Sequence, residues 1–364
     1  AGILTVFSFQ PFNITFLNFI LLPLVFYVIV FINKKSKNIY RKKPFKKNFF
    51  IFGTAFGFGY YLSGIHWIVN SLTFDENFKI LIPIGLLFIP LFLSLFFSLV
   101  TVFIGPFLNL NFQSIIFLSA SLAISDFIRS KILTGFPWNL WAYSFSWSTE
   151  IIQILNKFGL FAFNLISITI FMLPAVFFLN LNFTKKIYFF LVLIITIFLL
   201  YIYGSYSINL NKKELQANTN KINVRVVSPN FDLEYDLDKN DIENRLLKLI
   251  RYSDPDNDKK NLFIWPEGVF SGYSFKEILN LKKIISSNFN KNHFILFGVN
   301  RFDKKKKGFY NSLVIINNDM EIIQEYKKQK LVPFGEFLPF ENFLSNFGLK
   351  KITEGHGSFL KGKK

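Results

Sequence analysis

Uncharged stretches dominate the first half of the chain. Ala1–Asn33, Ile80–Ser125, Phe158–Thr184 and Ile187–Asn211 contain no Asp, Glu, Lys or Arg. A helix crossing the hydrocarbon layer needs about 20 predominantly apolar residues, so each run is long enough to span. The run 80–125 can cross twice, turning at Gly105-Pro106 with Asn109 and Asn111 just beyond. The pattern predicts full spans at 12–32, 49–71, 79–104, 113–131, 155–180 and 187–206, preceded by a partial one at 1–9. It thus divides the chain into a transmembrane region, 1–206, and a second domain, 207–364.

After Tyr206 the spacing changes to short apolar runs alternating with amphipathic ones. Ile222–Val227 reads as a buried strand, and Ile242, Leu246, Leu247 and Ile250 fall at helical spacing within Asp241–Tyr252. Leu262–Trp265 predicts a strand, Phe275–Ile285 a helix and His293–Val299 a strand. Tyr310–Ile316 and Ile322–Tyr326 predict a strand pair around the Asn317-Asn318-Asp319 turn. This β-α-β-α-β order predicts an α/β layered domain. Lys304–Lys307 reads as a solvated hairpin tip.

Charge sharpens the division. Of 23 acidic residues, four (Asp75, Glu76, Asp126, Glu150) precede Tyr206 and 19 follow it. The pI of about 9.7 alone would suggest a nucleic-acid partner, but a mean hydropathy of +0.36 points to a membrane instead. Eight cations lie between the first two full spans: Lys34, Lys35, Lys37, Arg41, Lys42, Lys43, Lys46 and Lys47. The positive-inside rule places them in the cytoplasm, which puts 132–150 and everything after Tyr206 on the outer side. Arg129 and Lys131 count against this orientation. The chain has no cysteine, which excludes disulfides, thiolate metal sites and an internal thiol nucleophile.

Three stretches carry candidate chemistry. In Phe263-Ile264-Trp265-Pro266-Glu267 a strand ends in a carboxylate, at the sheet edge where α/β folds place their sites. Beside Trp265, that acid is expected to have a raised pKa and to accept a proton; the alternative is a surface carboxylate capping the turn. Between Tyr326 and Pro339, Lys327, Lys328 and Lys330 precede an apolar loop containing Glu336. An ammonium fixed beside carboxylates can stabilise an oxyanion, although composition does not choose among the lysines. Thr134–Ser144 (TGFPWNLWAYS) is either an interfacial aromatic belt or a re-entrant floor beneath the outer domain that touches lipid. His66, His293 and His356 have no metal-binding spacing and read as packed or interfacial residues. No G-x-S-x-G elbow, Walker A loop or dinucleotide fingerprint occurs, and no cofactor is implied.

Taken together and in this order, the motifs resemble those of the bacterial apolipoprotein N-acyltransferases, membrane enzymes of the nitrilase superfamily. The likeness runs through Gly57–Trp67 (GFGYYLSGIHW), Leu133–Ser144 (LTGFPWNLWAYS), Trp265-Pro266-Glu267 and Leu331–Pro339 (LVPFGEFLP). It implies a polytopic α-helical membrane region followed by a nitrilase-like αββα sandwich. It also implies acyl transfer through a thioester, from a phospholipid donor to the α-amine of a diacylglyceryl-cysteine apolipoprotein. By position in these motifs, Glu267 resembles the family's general base, Lys328 its oxyanion-stabilising cation and Glu336 the carboxylate that orients the lysine. The resemblance implies an inner-membrane protein with its catalytic domain in the periplasm.

The family's cysteine, in a Cys-Tyr-Glu-like stretch after PFGE, and its final transmembrane helix have no counterpart before Lys364. The chain is therefore expected to be a fragment and catalytically inactive as it stands. Two rivals follow from the same residues: a membrane-tethered amidase that uses water as acceptor, and a polytopic transport or binding protein without catalysis.

Overall fold

The computed structural model describes residues 1–37, 44–73, 76–132, 135–217, 222–232, 234, 237–333, 335–338 and 358–363. His356, Pro339, Leu133 and Thr134 lie outside these residues. Two compact units emerge, Ala1–Ala217 and Asn218–Lys364.

The first unit is helical. Its helices are α1 (Asn18–Lys37), α2 (Pro44–Ile65), α3 (Ile82–Ile104), α4 (Phe112–Arg129), the short α5 (Thr149–Ile152), α6 (Leu155–Met172) and α7 (Phe183–Ala217). Among the described residues, five helical stretches are long and apolar enough to cross a membrane: Thr15–Ser36, Phe78–Phe107, Phe112–Arg129, Leu155–Phe178 and Phe183–Ala217. This is a membrane protein. The 1–9 segment forms a 3-10 helix over Ile3–Ser8.

Residues expected at 49–71 form α2 followed by a 3-10 segment, His66–Thr73. Glycines and tyrosines dilute the apolarity of α2, and two of those glycines set its packing. A Cβ on Gly53 would lie 2.3 Å from Thr101 Oγ1 and 2.6 Å from Ser98 Cα, and one on Gly57 would lie 3.0 Å from Ser94 Cα. Small residues four apart on α2 thus meet Ser94, Ser98 and Thr101 on α3, which lets the two backbones approach closely. Thr54 and Ser98 hydroxyls hydrogen-bond across the contact at 2.8 Å. Thr101 Oγ1 donates to the Phe49 carbonyl at 2.8 Å.

Helix α7 continues beyond Tyr206 to Ala217. At about 1.5 Å per residue its 35 residues span roughly 50 Å, more than the hydrocarbon thickness of about 30 Å. The hydropathy change at 206–207 therefore falls inside a helix, because no breaker accompanies it. Asn211, Lys212, Lys213 and Glu214 form the last polar turns.

The second unit is α/β. A five-stranded sheet runs in the order β1 (Asn223–Val226), β2 (Asn261–Ile264), β3 (His293–Asp303), β4 (Gly308–Ile316) and β5 (Ile322–Lys327). The first two pairings are parallel and the last two antiparallel. Between the strands lie α8 (Lys239–Ser253), α9 (Phe275–Ile278) and α10 (Lys282–Asn288). Asp238 opens α8 with a reciprocal capping box to Asp241, which satisfies two of the helix's orphan donors. Residues 304–307 form the turn between β3 and β4, as expected of a charged hairpin tip.

One face of the sheet is packed. Phe263, Ile295, Phe297, Val299, Val314 and Ile316 are buried in one cluster with Leu246, Leu249, Ile278 and Ile285 from the helices. His293, fully buried, belongs to the packed side: its Nε2 meets the Asp256 carbonyl at 2.8 Å and its Nδ1 accepts from the Asn290 amide at 3.1 Å. The opposite face is apolar too. Val226, Ile264, Leu296 and Ile315 form one lateral row in register. Val226 in that row is 71% exposed. A second apolar face is the inner surface a two-sheet sandwich requires. Among the described residues one sheet is present.

Candidate active site

The carboxyl ends of β2 and β5 share one edge of the sheet. Both strands run parallel to β3, the first by direct pairing and the second through antiparallel β4. Glu267 follows the first strand and Lys328 the second.

At the end of β2 the chain is anchored by Trp265. Its amide donates to the Leu296 carbonyl at 2.9 Å, and its indole Nε1 donates to Ser253 Oγ at 3.0 Å. The ring packs against Phe270, Phe289 and Phe297 in the core. The chain then turns, with Gly268 at φ 71°, and Glu267 stands exposed. The apolar shielding expected from Trp265 is therefore absent from the Glu267 carboxylate: the chain leaves the strand and turns after Pro266, while the indole goes to the core.

At the end of β5 the three lysines separate. Lys327 lies over the Tyr310 ring, 4.4 Å from its centroid, and Lys330 is exposed. Lys328 Nζ donates to Glu336 Oε1 at 2.9 Å. Glu336 is the hub of this cluster. Its Oε1 also accepts from Asn311 Nδ2 at 2.7 Å, and its Oε2 accepts from the Val332 amide at 2.8 Å. The Glu336 amide returns a bond to the Val332 carbonyl at 2.8 Å, closing the loop. Partial burial raises the Glu336 pKa, but the bonds from Lys328, Val332 and Asn311 outweigh it and hold the carboxyl below its usual 4.5.

The backbone fixes the lysine as firmly as the carboxylate does. The Lys328 amide donates to the Asn311 carbonyl at 2.9 Å, while its own carbonyl accepts from the Gly362 amide at 2.9 Å. The structure thus brings Lys328 and Glu336 together. It places Glu267 on the same edge, three strand spacings away, or about 14 Å between backbones at about 4.8 Å per spacing. Among the described residues no hydrogen bond or ion pair joins Glu267 to that pair. Asn311 is the residue the sequence reading missed. Its signal was an amide interrupting the apolar alternation of Leu313 and Ile315 on one strand face.

The segment 135–145 lies in the helical unit, where Leu140, Trp141, Ala142 and Phe145 are buried. Trp141 stacks on Tyr60 at 4.9 Å, and the Tyr60 hydroxyl donates to the Asn139 carbonyl. Arg129, 1% exposed, donates to the carbonyls of Phe136 at 2.6 Å and Trp138 at 2.8 Å and to Asp126 Oδ1 at 2.9 Å. Asn164 completes the network. It donates to Asp126 Oδ2 at 2.9 Å and accepts from the Ala142 amide at 3.0 Å. A charge counted as a loop cation in the topology reading is therefore an internal clamp. Trp138 alone among the segment's tryptophans remains half exposed, with its ring 5.1 Å from Trp67.

Comparison with known proteins bears on both units. Residues 1–173 match the family model described as the apolipoprotein N-acyltransferase N-terminal domain. The apolipoprotein N-acyltransferase of Rhodopseudomonas palustris is 27% identical over all of this chain and 68% of its own length. That of Rhizobium etli is 28% identical over 85% of this chain and 59% of its own length. Among solved structures, Saccharomyces cerevisiae Nit3, a member of branch 10 of the nitrilase superfamily, overlaps 26% of this chain and 43% of its own. The identity is 21% and the TM-score 0.20. The chain thus spans about three-fifths to two-thirds of the length of these curated relatives. Along its length the chain is thus similar to relatives of one name, and its first 173 residues match the model of the apolipoprotein N-acyltransferase N-terminal domain.

Proposed function

We propose that the protein to which these residues belong transfers an acyl chain from a membrane phospholipid to the α-amine of a diacylglyceryl-cysteine apolipoprotein. The observation that carries this reading is the Lys328–Glu336–Asn311 cluster at the sheet edge shared with Glu267. In this mechanism Glu267 removes the proton of a thiol, and the thiolate attacks the ester carbonyl of the phospholipid. The carbon–sulfur bond forms and the Lys328 ammonium holds the tetrahedral oxyanion, held in place itself by Glu336. Collapse breaks the ester carbon–oxygen bond, and the proton on Glu267 passes to the departing lysophospholipid. In the second stage Glu267 deprotonates the incoming amine, the amide bond forms and the thiolate leaves.

No cysteine occurs among the 364 residues, so the nucleophile is supplied from outside them and this stretch alone makes no thioester. The positive-inside rule supports an inner-membrane orientation with the lysine-rich 34–47 segment in the cytoplasm and the α/β unit in the periplasm. The helical unit acts as the membrane region and the α/β unit after Ala217 as the catalytic domain.

The test is an assay of the natural full-length protein with phospholipid and a synthetic diacylglyceryl lipopeptide. Transfer of the acyl chain to the lipopeptide amine is expected, and Glu267→Gln removes most of it. Release of free fatty acid or ammonia with no acylated amine would make the protein a hydrolase and end this reading.

A further inference from the structure

The helical unit has a concave region at the opposite end of its helices from Trp138. Asn18, at the start of α1, donates to Ser144 Oγ at 2.8 Å, so the other end of that helix carries Lys34 and Lys35. Helix α4 begins at the same far end, where Asn33 Nδ2 donates to the Leu108 carbonyl at 2.7 Å. Gly204 of α7 packs against the Glu150 backbone, which leaves Lys185 and Lys186 at the far end as well.

Two clefts of about 620 and 300 Å³ open there and share Leu110 as a wall. Sites for small organic ligands run from about 300 to 1,000 Å³. Tyr27 and Phe31 line one cleft together with Lys34 and Lys35, and Tyr188 and Phe189 line the other with Lys185. Among the described residues none of these lysines is paired with an acid. Among the described residues the acids of this unit, Glu76, Asp126, Glu150 and Glu214, lie toward the other helix ends. Lys35 instead rests over the Phe31 ring at 5.2 Å, and Lys186 donates to the Phe177 carbonyl at 3.1 Å.

Apolar aromatic walls continuous with membrane-spanning helices, rimmed by uncompensated lysines, suit a ligand with acyl chains and an anionic head. We propose that this paired cleft binds one anionic phospholipid, its phosphate held by Lys34, Lys35 and Lys185 and its chains lying along the aromatic walls. Basic pockets between helices recognise such headgroups by charge, and long lysine stems place their ammonium groups at the headgroup level. The site is separate from the acyl-transfer chemistry. It neither requires Glu267 or Lys328 nor depends on their roles.

The test places the purified chain in nanodiscs of phosphatidylglycerol and phosphatidylethanolamine and reads retained lipid by native mass spectrometry after stepwise delipidation. One phosphatidylglycerol retained above its share of the bilayer is expected. Lys34→Gln with Lys35→Gln, and separately Lys185→Gln with Lys186→Gln, should each lower that preference about tenfold, whereas arginine at the same positions should keep it. If a glutamine variant fails to fold, Leu110→Trp, which fills the shared wall without removing charge, must lower retention instead. Retention in proportion to bilayer composition, an unchanged preference in the variants, or displacement by inorganic phosphate would each overturn the proposal.

Discussion

Glu336 accepts from an ammonium, an amide side chain and a backbone amide, so its ionised form is favoured in the folded chain. Because its folded pKa lies below the unfolded value of about 4.5, its stabilising contribution is complete above that pH. The contribution is lost as pH falls through 4.5 toward the depressed folded value. Thermal unfolding followed between pH 7 and 3 should show an acid-side decline that Glu336→Gln makes shallower. The neighbouring lysine separates stability from chemistry. Lys328→Met removes a partly exposed ion pair, worth about 1 kcal/mol or less of stability. In the full-length protein it should lower turnover by about 100-fold or more if the ammonium holds an oxyanion. Calorimetry and single-turnover kinetics on the same preparation check that split. Asn311→Leu takes away a donor without adding one, and it should weaken the hold on Lys328 while leaving the strand intact.

At the scale of elements, the clamp on segment 136–142 buries a charged pair, Arg129 and Asp126, inside the helical unit. Removing one member of a buried ion pair leaves the other uncompensated, so Arg129→Met should destabilise by about 3–5 kcal/mol. Arg129→Met combined with Asp126→Leu should recover part of that loss, as measured by thermal unfolding in detergent. The contact between α2 and α3 makes a graded prediction. A methyl group at Gly53 meets Thr101 and Ser98 well inside contact distance, whereas one at Gly57 is only tight against Ser94. Gly53→Ala should therefore lower the melting temperature more than Gly57→Ala, and the reverse order would contradict the packing described. These features were legible to different degrees. Helices and strands followed the hydrophobic period closely, since apolar runs and alternation are direct consequences of burial. The Arg129 clamp was not legible, because its partners come from α4, α6 and the loop between them, and nothing in local spacing announces that they meet. The choice of Lys328 over Lys327 needed the Tyr310 ring and the position of Glu336, both set by the folding of β4 and the loop after β5.

For the molecule as a whole, a basic, cysteine-free and strongly apolar composition resolves into two solvents. The cations of the helical unit gather toward helix ends, while the α/β unit carries most of the acids and the candidate chemistry. Among the described residues its sheet has a second apolar face, on which Ile264, Leu296 and Ile315 are half-buried and Val226 is exposed. Within the 364 residues the candidate site holds an exposed carboxylate, an ammonium and the carboxylate bonded to it, and the proposed acyl transfer is assayed on the natural full-length protein. Acyl transfer is tested by supplying that protein with a radiolabelled phospholipid and a diacylglyceryl lipopeptide and following the label. Label is expected on the lipopeptide α-amine, reduced about 100-fold or more by Lys328→Met. Label found only in free fatty acid, or transfer undiminished in that variant, would contradict the proposed mechanism.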